Sequence, residues 1–408
     1  MSHDNDIVLC SPLRTPVGRY GGALKDVPVQ DLASLVVRTL VERTGLKPEQ
    51  VDDLILGQAS PNGAAPALGR VVALDAGLGE SVPGMQLDRR CGSGLQAIAT
   101  AAAHIQSGAA ELIIAGGAES MSRTEYTVDA DVRWGKKGGN MTFRDRLAEA
   151  RETAGGKNHP IPGGMIETAE NLREEYSITR EVQDQMAYNS HQSAVKAQEQ
   201  GLFDAEIVPV EVPQRKGDPV VVDRDEHPRA DTTVEKLSGL RAIMRKQYGD
   251  DATVTAGNAS GQNDGAAAMI VTTRAKAAEL GLTPAATLKG WAVAGVAPET
   301  MGIGPVAATE KLFERLNLTF DDIDLIELNE AFAAQALACL KAWGIDADDE
   351  RLNPVGSGIS MGHPVGATGA RMVVTAAHEL ARSEKKNALV TMCIGGGQGL
   401  AAVIKKEG

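Results

Sequence analysis

The chain has 408 residues and a formal charge of −13; 43% of its residues are hydrophobic, 23% charged and 3% aromatic. That is too apolar for a disordered chain and long enough for two or three well-buried domains. The acidic balance and the scarcity of aromatic stacking groups argue against a nucleic-acid surface, and no apolar run approaches the ~20 residues of a membrane helix.

In chain order, Ile7–Cys10 reads as a short buried strand, residues 14–22 as a loop, Val29–Thr44 as a helix and Val51–Gly57 as a strand. A long Ala-rich helix over Ser93–Ser107 follows the turn Cys91-Gly-Ser-Gly, and a buried strand from Glu111 ends in Gly116 and Gly117. Strand and helix alternate, which predicts a layered α/β domain. From Met121 to Asp251 the texture turns polar and Pro/Gly-punctuated, with short helices such as Thr179–Gln200; this stretch reads as an insertion that covers something. Regular α/β alternation resumes from Thr253 to the end.

An internal repeat is visible: Gly45–Ala59 resembles Asn317–Ala331, with Leu46/Leu318, Asp52/Asp324, Leu56/Leu328 and Ala59/Ala331 identical. The same spacing lays Cys91 on His363. Two similar halves facing each other would bring equivalent strand-to-helix turns to one shared centre. The N-terminal ten residues lack the basic start and apolar core of a secretory leader, and Cys10, Cys91, Cys339 and Cys393 form no CxxC or Cys/His cluster. We therefore expect a reduced, cytoplasmic setting and no metal.

Cys91 lies in Arg-Arg-Cys-Gly-Ser-Gly ahead of a helix, where the macrodipole is expected to stabilise thiolate and lower the pKa; Arg89 and Arg90 either add to this or point to solvent. A packed cysteine at a tight turn is the alternative. His363, in Gly-His-Pro-Val-Gly-Ala-Thr-Gly-Ala-Arg, is placed to act as a base for that thiol, or is a loop imidazole satisfied by backbone. Cys393 ends an apolar strand before Ile-Gly-Gly-Gly-Gln-Gly, whose N–H groups are free for an oxyanion, or is simply packed on a β-hairpin. Asn329 and Glu330 interrupt a strand just before a helix, and helix capping explains Asn329 as well as catalysis does. Two thiols, an imidazole and an amide exceed what hydrolysis needs. Removal of a proton next to a thioester, beside a covalent acyl-cysteine, uses both thiols.

These motifs, together with Arg14-Thr-Pro-Val-Gly-Arg-Tyr-Gly-Gly, Gly116-Gly-Ala-Glu-Ser, Thr255-Ala-Gly-Asn-Ala-Ser-Gly and Asn329-Glu-Ala-Phe, resemble the thiolase family over nearly the whole chain. The resemblance implies duplicated αβαβα halves, residues 1–121 with 252–278 and residues 279–408, and a loop domain over 122–251 covering the coenzyme A site. It implies reversible Claisen condensation or thiolysis of acyl-CoA thioesters, with coenzyme A as substrate, no cofactor, and a homodimer or homotetramer. It implies that Cys91 is the acyl acceptor, His363 its activator and Cys393 the second acid/base. Asn329, through a water, and His363 would stabilise the enolate, and the N–H groups of Cys91 and Gly395 would form the other oxyanion hole. Arg229 and Ser260 match coenzyme A contacts, and Met165, Ala256, Met301 and Phe332 match the pocket lining. Lys236, Arg241, Arg245 and Lys246 read mainly as a solvated basic face. Gly164-Met165-Ile166-Glu167 stands where short-chain biosynthetic members carry His-Met-Gly, which implies a different acyl pocket. Two alternatives are a ketoacyl synthase of the same fold, which would not need Cys393, and a non-catalytic acyl-CoA- or lipid-binding relative, which would not need Cys91 or His363.

Overall fold

The computed structural model describes residues 4–407. The first half contains β1 (Ile7–Arg14), α1 (Val29–Thr44), β2 (Asp53–Gly57), α2 (Leu68–Asp75), β3 (Met85–Leu87), α3 (Ser93–Gln106) and β4 (Leu112–Ser120). Two longer helices of the intervening segment follow, α4 (Gly164–Glu175) and α5 (Arg180–Glu199), and β5 (Asn263–Thr273) returns the chain to the first half. The second half contains β6 (Pro284–Gly295), α6 (Gly304–Leu316), β7 (Leu325–Leu328), α7 (Ala333–Trp343), α8 (Val365–Arg382), β8 (Asn387–Ile394) and β9 (Gln398–Lys406).

The sequence repeat has a structural counterpart residue by residue. Gly45 and Asn317 end α1 and α6 in the left-handed conformation, at φ of 68° and 52°. A capped 3-10 turn follows each, closed by Gln50 accepting from the N–H of Lys47 and by Asp322 accepting from that of Thr319. Asp52 then accepts from the N–H groups of Glu111 and Leu112, while Asp324 accepts from those of Lys386 and Asn387. Each aspartate thus ties its strand to the start of the neighbouring parallel one.

The strands run β7-β8-β9-β6-β1-β5-β4-β2-β3, and the antiparallel pairing of β1 with β6 joins the halves. Period-two alternation along each strand sorts side chains into layers. Ile7, Leu9, Ile113, Met269, Val390 and Ala402 face a central core with α3 and α8. Val8, Cys10 and Ile114 face outward onto α1 and α2, and Leu389, Ala401 and Val403 onto α6 and α7. The result is helix, sheet, helices, sheet, helix. In the central layer α3 and α8 touch through glycine: a Cβ on Gly94 would lie 2.8 Å from the nitrogen of Ala370, and one on Gly369 only 2.6 Å from that of Leu95.

The structure departs from the sequence reading at several places. Residues 14–22 are not all loop: β1 runs to Arg14, and Gly18–Arg19 pairs with Asn263 and Asp264 of β5. Arg14 is fully buried because its guanidinium is ion-paired to Glu206 at 2.6 Å and Asp225 at 2.7 Å, both supplied by the intervening segment. A charged residue with distant partners reads locally as loop. The helix expected to be short over Thr179–Gln200 is the 20-residue α5, held by buried Met186, Ala187, Ala194 and Ala197. Among the described residues, no helix is long and apolar enough to cross a membrane, and no group of His, Cys, Asp or Glu is arranged to hold a metal.

Candidate active site

Three chain segments, one from the first half around Cys91 and two from the second around His363 and Cys393, meet in a cavity of about 320 Å3. Cys91 arrives in a 3-10 turn, Arg90–Gly92, immediately ahead of α3. Arg90 sits at φ 49°, a left-handed conformation unusual for a side-chain-bearing residue, held by Asp88 accepting its N–H at 2.6 Å. Ser93 accepts the Arg89 N–H at 2.8 Å and donates to the Arg90 carbonyl at 2.7 Å, fixing the turn. His363 stands just before α8, its N–H donated to Asn263 at 2.8 Å. Cys393 lies near the end of β8 opposite Gly399, and the β8–β9 hairpin turns through Gly396 and Gly397 at φ of 91° and 83°.

The cavity brings together Cys91, His363, Cys393 and Gly395 with Met165, Ala256, Ser260, Met301 and Phe332. Met165, Met301 and Phe332 pack in one apolar cluster with Cys393. Asn329 is not on this wall. It is buried two residues from Ala331, which does line the cavity, and both polar atoms of its carboxamide lack a protein partner. Arg229 is exposed and lines an adjoining cavity with His191, His227, Asp231 and Lys236; the two cavities share Ala256 and Ala259. Lys236 is paired with Asp231 and Arg245 with Asp250, so much of the basic run is neutralised locally; Arg241 and Lys246 line neither cavity.

Burial dominates the electrostatics. It pushes the Cys91 thiol above its ordinary value, with the Gly395 N–H and the Arg90 charge acting in the opposite direction. The expectation of a depressed pKa at the helix start is therefore corrected: desolvation outweighs the backbone N–H groups and the Arg90 charge that favour thiolate. Cys393 is pushed well up, first by burial and then by the nearby Cys91. His363 falls to about 3, because burial disfavours imidazolium and Arg371 adds repulsion. Its Nδ1 lies 2.6 Å from the Thr368 hydroxyl, which itself donates to the Pro364 carbonyl at 2.9 Å. A hydroxyl whose proton is so engaged accepts from Nδ1–H, leaving Nε2 unprotonated; Nε2 is buried without a protein partner. The cavity thus carries on its walls a neutral imidazole with a free Nε2 and a neutral thiol.

Matches to family models cover residues 7–275 with the thiolase N-terminal domain and residues 282–406 with the thiolase C-terminal domain. The chain belongs to the thiolase family. This thiolase is 44% identical over 402 residues to an acetyl-CoA acetyltransferase of Cupriavidus necator, covering 98% of this chain and 100% of the relative. It is 46% identical over 406 residues to a beta-ketoadipyl-CoA thiolase of Pseudomonas aeruginosa, covering 98% and 99%. The acetyl-CoA acetyltransferase of Bacillus anthracis superposes with a TM-score of 0.93 at 44% identity, covering 99% of both chains. Human mitochondrial 3-ketoacyl-CoA thiolase gives 0.92 at 36% identity over 100% of both. The α/β fold and the acyltransferase activity follow from these matches.

Sequence reading missed Thr368, His191 and His227. Thr368 was legible as the Thr of Gly-Ala-Thr-Gly, five residues beyond His363. The two histidines, whose ring centroids are 6.4 Å apart, lie far apart in the chain and carry no local signal.

Proposed function

We propose that this thiolase works through an acyl-Cys91 intermediate, with His363 and Cys393 dividing the proton transfers. The observation that carries this is the meeting of two thiols and one imidazole with a free Nε2 around a single cavity. His363 Nε2 takes the Cys91 proton as sulfur adds to a thioester carbonyl, and the carbon–sulfur bond to coenzyme A breaks as Cys393 gives the leaving thiolate a proton. Cys393, now thiolate, removes the proton beside the carbonyl of a second thioester. The enolate carbon attacks acyl-Cys91, and the departing Cys91 sulfur recovers its proton from His363. Thiolysis runs the same steps backwards. The Gly395 N–H faces the Cys91 sulfur and serves one oxyanion, while Asn329 through water and His363 serve the other. Ser260 and the exposed Arg229 hold pantetheine and nucleotide, and coenzyme A thioesters are substrates rather than resident cofactors.

Cys393→Ala should still form acyl-enzyme, read as an acetyl mass shift on Cys91, while acetoacetyl-CoA synthesis and thiolysis nearly vanish. Cys91→Ala should lose the mass shift and both activities. A Cys393→Ala enzyme that kept most of its condensation rate would sink the two-thiol mechanism.

The chain is further proposed to act in the cytoplasm as a homodimer or homotetramer. Four unpaired cysteines support the first reading, and exposed Tyr126, Trp134, Met141 and Phe143 in the intervening segment support the second. Cell fractionation and light scattering test them; a monomeric mass would refute the assembly.

A further inference from the structure

Two guanidinium groups share the cavity wall with the nucleophile. Arg90 and Arg151 both line it, each half-buried, among Met121, Leu147 and Ile166. Arg90 Nη2 donates to the Ala150 carbonyl at 3.0 Å, and Arg151 donates to the side-chain oxygen of Gln262. Among the described residues, neither forms an ion pair with a carboxylate. Asp145 is the charge felt most by Arg151, from beyond ion-pair distance, and its Oδ1 caps the N–H of Leu147 at 2.9 Å. Arg89 is different: its guanidinium turns away to Gln398, at 2.9 Å.

The placement is specific to the acyl side. The charge of Arg90 is felt at Cys91 and at Arg151, and Arg151 feels Cys91 in turn, whereas the charge of Arg229 is felt at His191 and His227. The adjoining cavity with Arg229 meets this one at Ala256 and Ala259. Two like charges on the wall of a largely apolar cavity are unfavourable without an anion between them. Burial presses hardest against protonated Arg151 and the charge of Arg90 adds to it, with Asp145 acting in the opposite direction. A planar guanidinium pair in a half-dry site suits a carboxylate, which it can engage bidentately.

We propose that the acyl group taken up by Cys91 carries a carboxylate at its far end, held by Arg90 and Arg151. The preferred substrates are then coenzyme A thioesters of 3-oxo dicarboxylic acids, an assignment that rests on the thiolase mechanism above. In thiolysis the Cys91 sulfur adds to the 3-oxo carbon and the bond between carbons 2 and 3 breaks. Its electron pair takes a proton from Cys393 to release acetyl-CoA. The thiol of a second coenzyme A then takes the ω-carboxyacyl group and returns Cys91 to the thiol. The carboxylate stays ionised and is unchanged.

The test measures thiolysis kcat/KM on the full-length enzyme with 3-oxoadipyl-CoA and 3-oxosuberyl-CoA against their methyl-ended counterparts, 3-oxohexanoyl-CoA and 3-oxooctanoyl-CoA. At one length or both, the carboxylated substrate should be favoured at least tenfold. Arg151→Met should lower that ratio at least tenfold, chiefly through KM for the carboxylated substrate, and Arg151→Lys should retain part of it. Adipyl-CoA should inhibit the unaltered enzyme more tightly than hexanoyl-CoA, which tests the site without any variant. Equal or reversed preference at both lengths overturns the inference while leaving the thiolase mechanism standing. An equal loss on both substrates in Arg151→Met, with the ratio unchanged, also overturns it, because the charge would then serve the thiol. No cleavage of any 3-oxoacyl-CoA would overturn the inference and the mechanism together.

Discussion

Cys91 and His363 are both neutral at rest, which follows from where each side chain is buried. The Cys91 thiol is raised and the His363 imidazole lowered to about 3, both mainly by desolvation. Cys10, Cys339 and Cys393 are fully buried while Cys91 is only half-buried, so brief iodoacetamide treatment and peptide mapping should label Cys91 first. Its alkylation rate should keep rising past pH 8.5, because thiolate forms only as pH approaches the raised pKa. A plateau below pH 7 would mean a preformed thiolate–imidazolium pair and refute the reading. Thr368 holds the imidazole at Nδ1 and does not line the cavity. Thr368→Val leaves Nδ1–H unsatisfied in a buried site, a penalty of about 1–3 kcal/mol. A fall in kcat of roughly ten- to a hundredfold should result. Thr368→Ser should restore most of it, and equal losses in both variants would deny the hydrogen bond a role.

At the scale of elements, the site depends on how closely α3 and α8 approach, since the first follows the turn that holds Cys91 and the second follows His363. Gly94 and Gly369 allow that approach: there is no room for a Cβ between the Gly369 backbone and Leu95. Gly369→Ala should overpack this contact at a cost of about 1–3 kcal/mol. It should also slow acyl-enzyme formation, because separating the helices lengthens the Cys91–His363 approach. Thermal unfolding and single-turnover acylation measure the two effects. An unchanged melting temperature would show that the helices have slack. The expected strands and helices of the first half were legible because period-two and 3.6-residue patterns are local. Arg14 was not, since its burial depends on Glu206 and Asp225 from another segment.

For the molecule as a whole, Glu119 near the end of β4 links the halves. Its carboxyl accepts from the N–H groups of Ala59 and Ser60 in the first half and of Gly366 in α8 of the second. Burial lifts its pKa to about 7 in spite of those three donors. A carboxyl raised on folding binds a proton that the unfolded chain has already released between about pH 4.5 and 7. The stability it contributes is therefore full below the unfolded value and is lost as pH rises through the folded one. Urea unfolding at pH 5.5 and pH 8 should show less stability at the higher pH. Glu119→Gln, which cannot titrate, should be less stable than the unaltered chain at pH 5.5 but lose less of its stability on going to pH 8. An identical pH dependence in the two would exclude Glu119 as the source.

The amino-acid sequence by itself determined the α/β class, the repeat and the candidates Cys91, His363 and Cys393, because each rests on local chemistry: alternating apolar residues, capping residues, and glycines beside a reactive side chain. Only the tertiary structure decided what those residues experience. The Cys91 thiol was expected to be depressed by a helix end and is raised by burial, and burial is a sum over neighbours that the sequence does not place. Arg89 and Arg90 are adjacent and alike in sequence, yet one turns to Gln398 and the other lines the cavity. The left-handed turn at Arg90 and the partners brought up from the far half of the chain make that distinction, and both exist only once the two halves have packed.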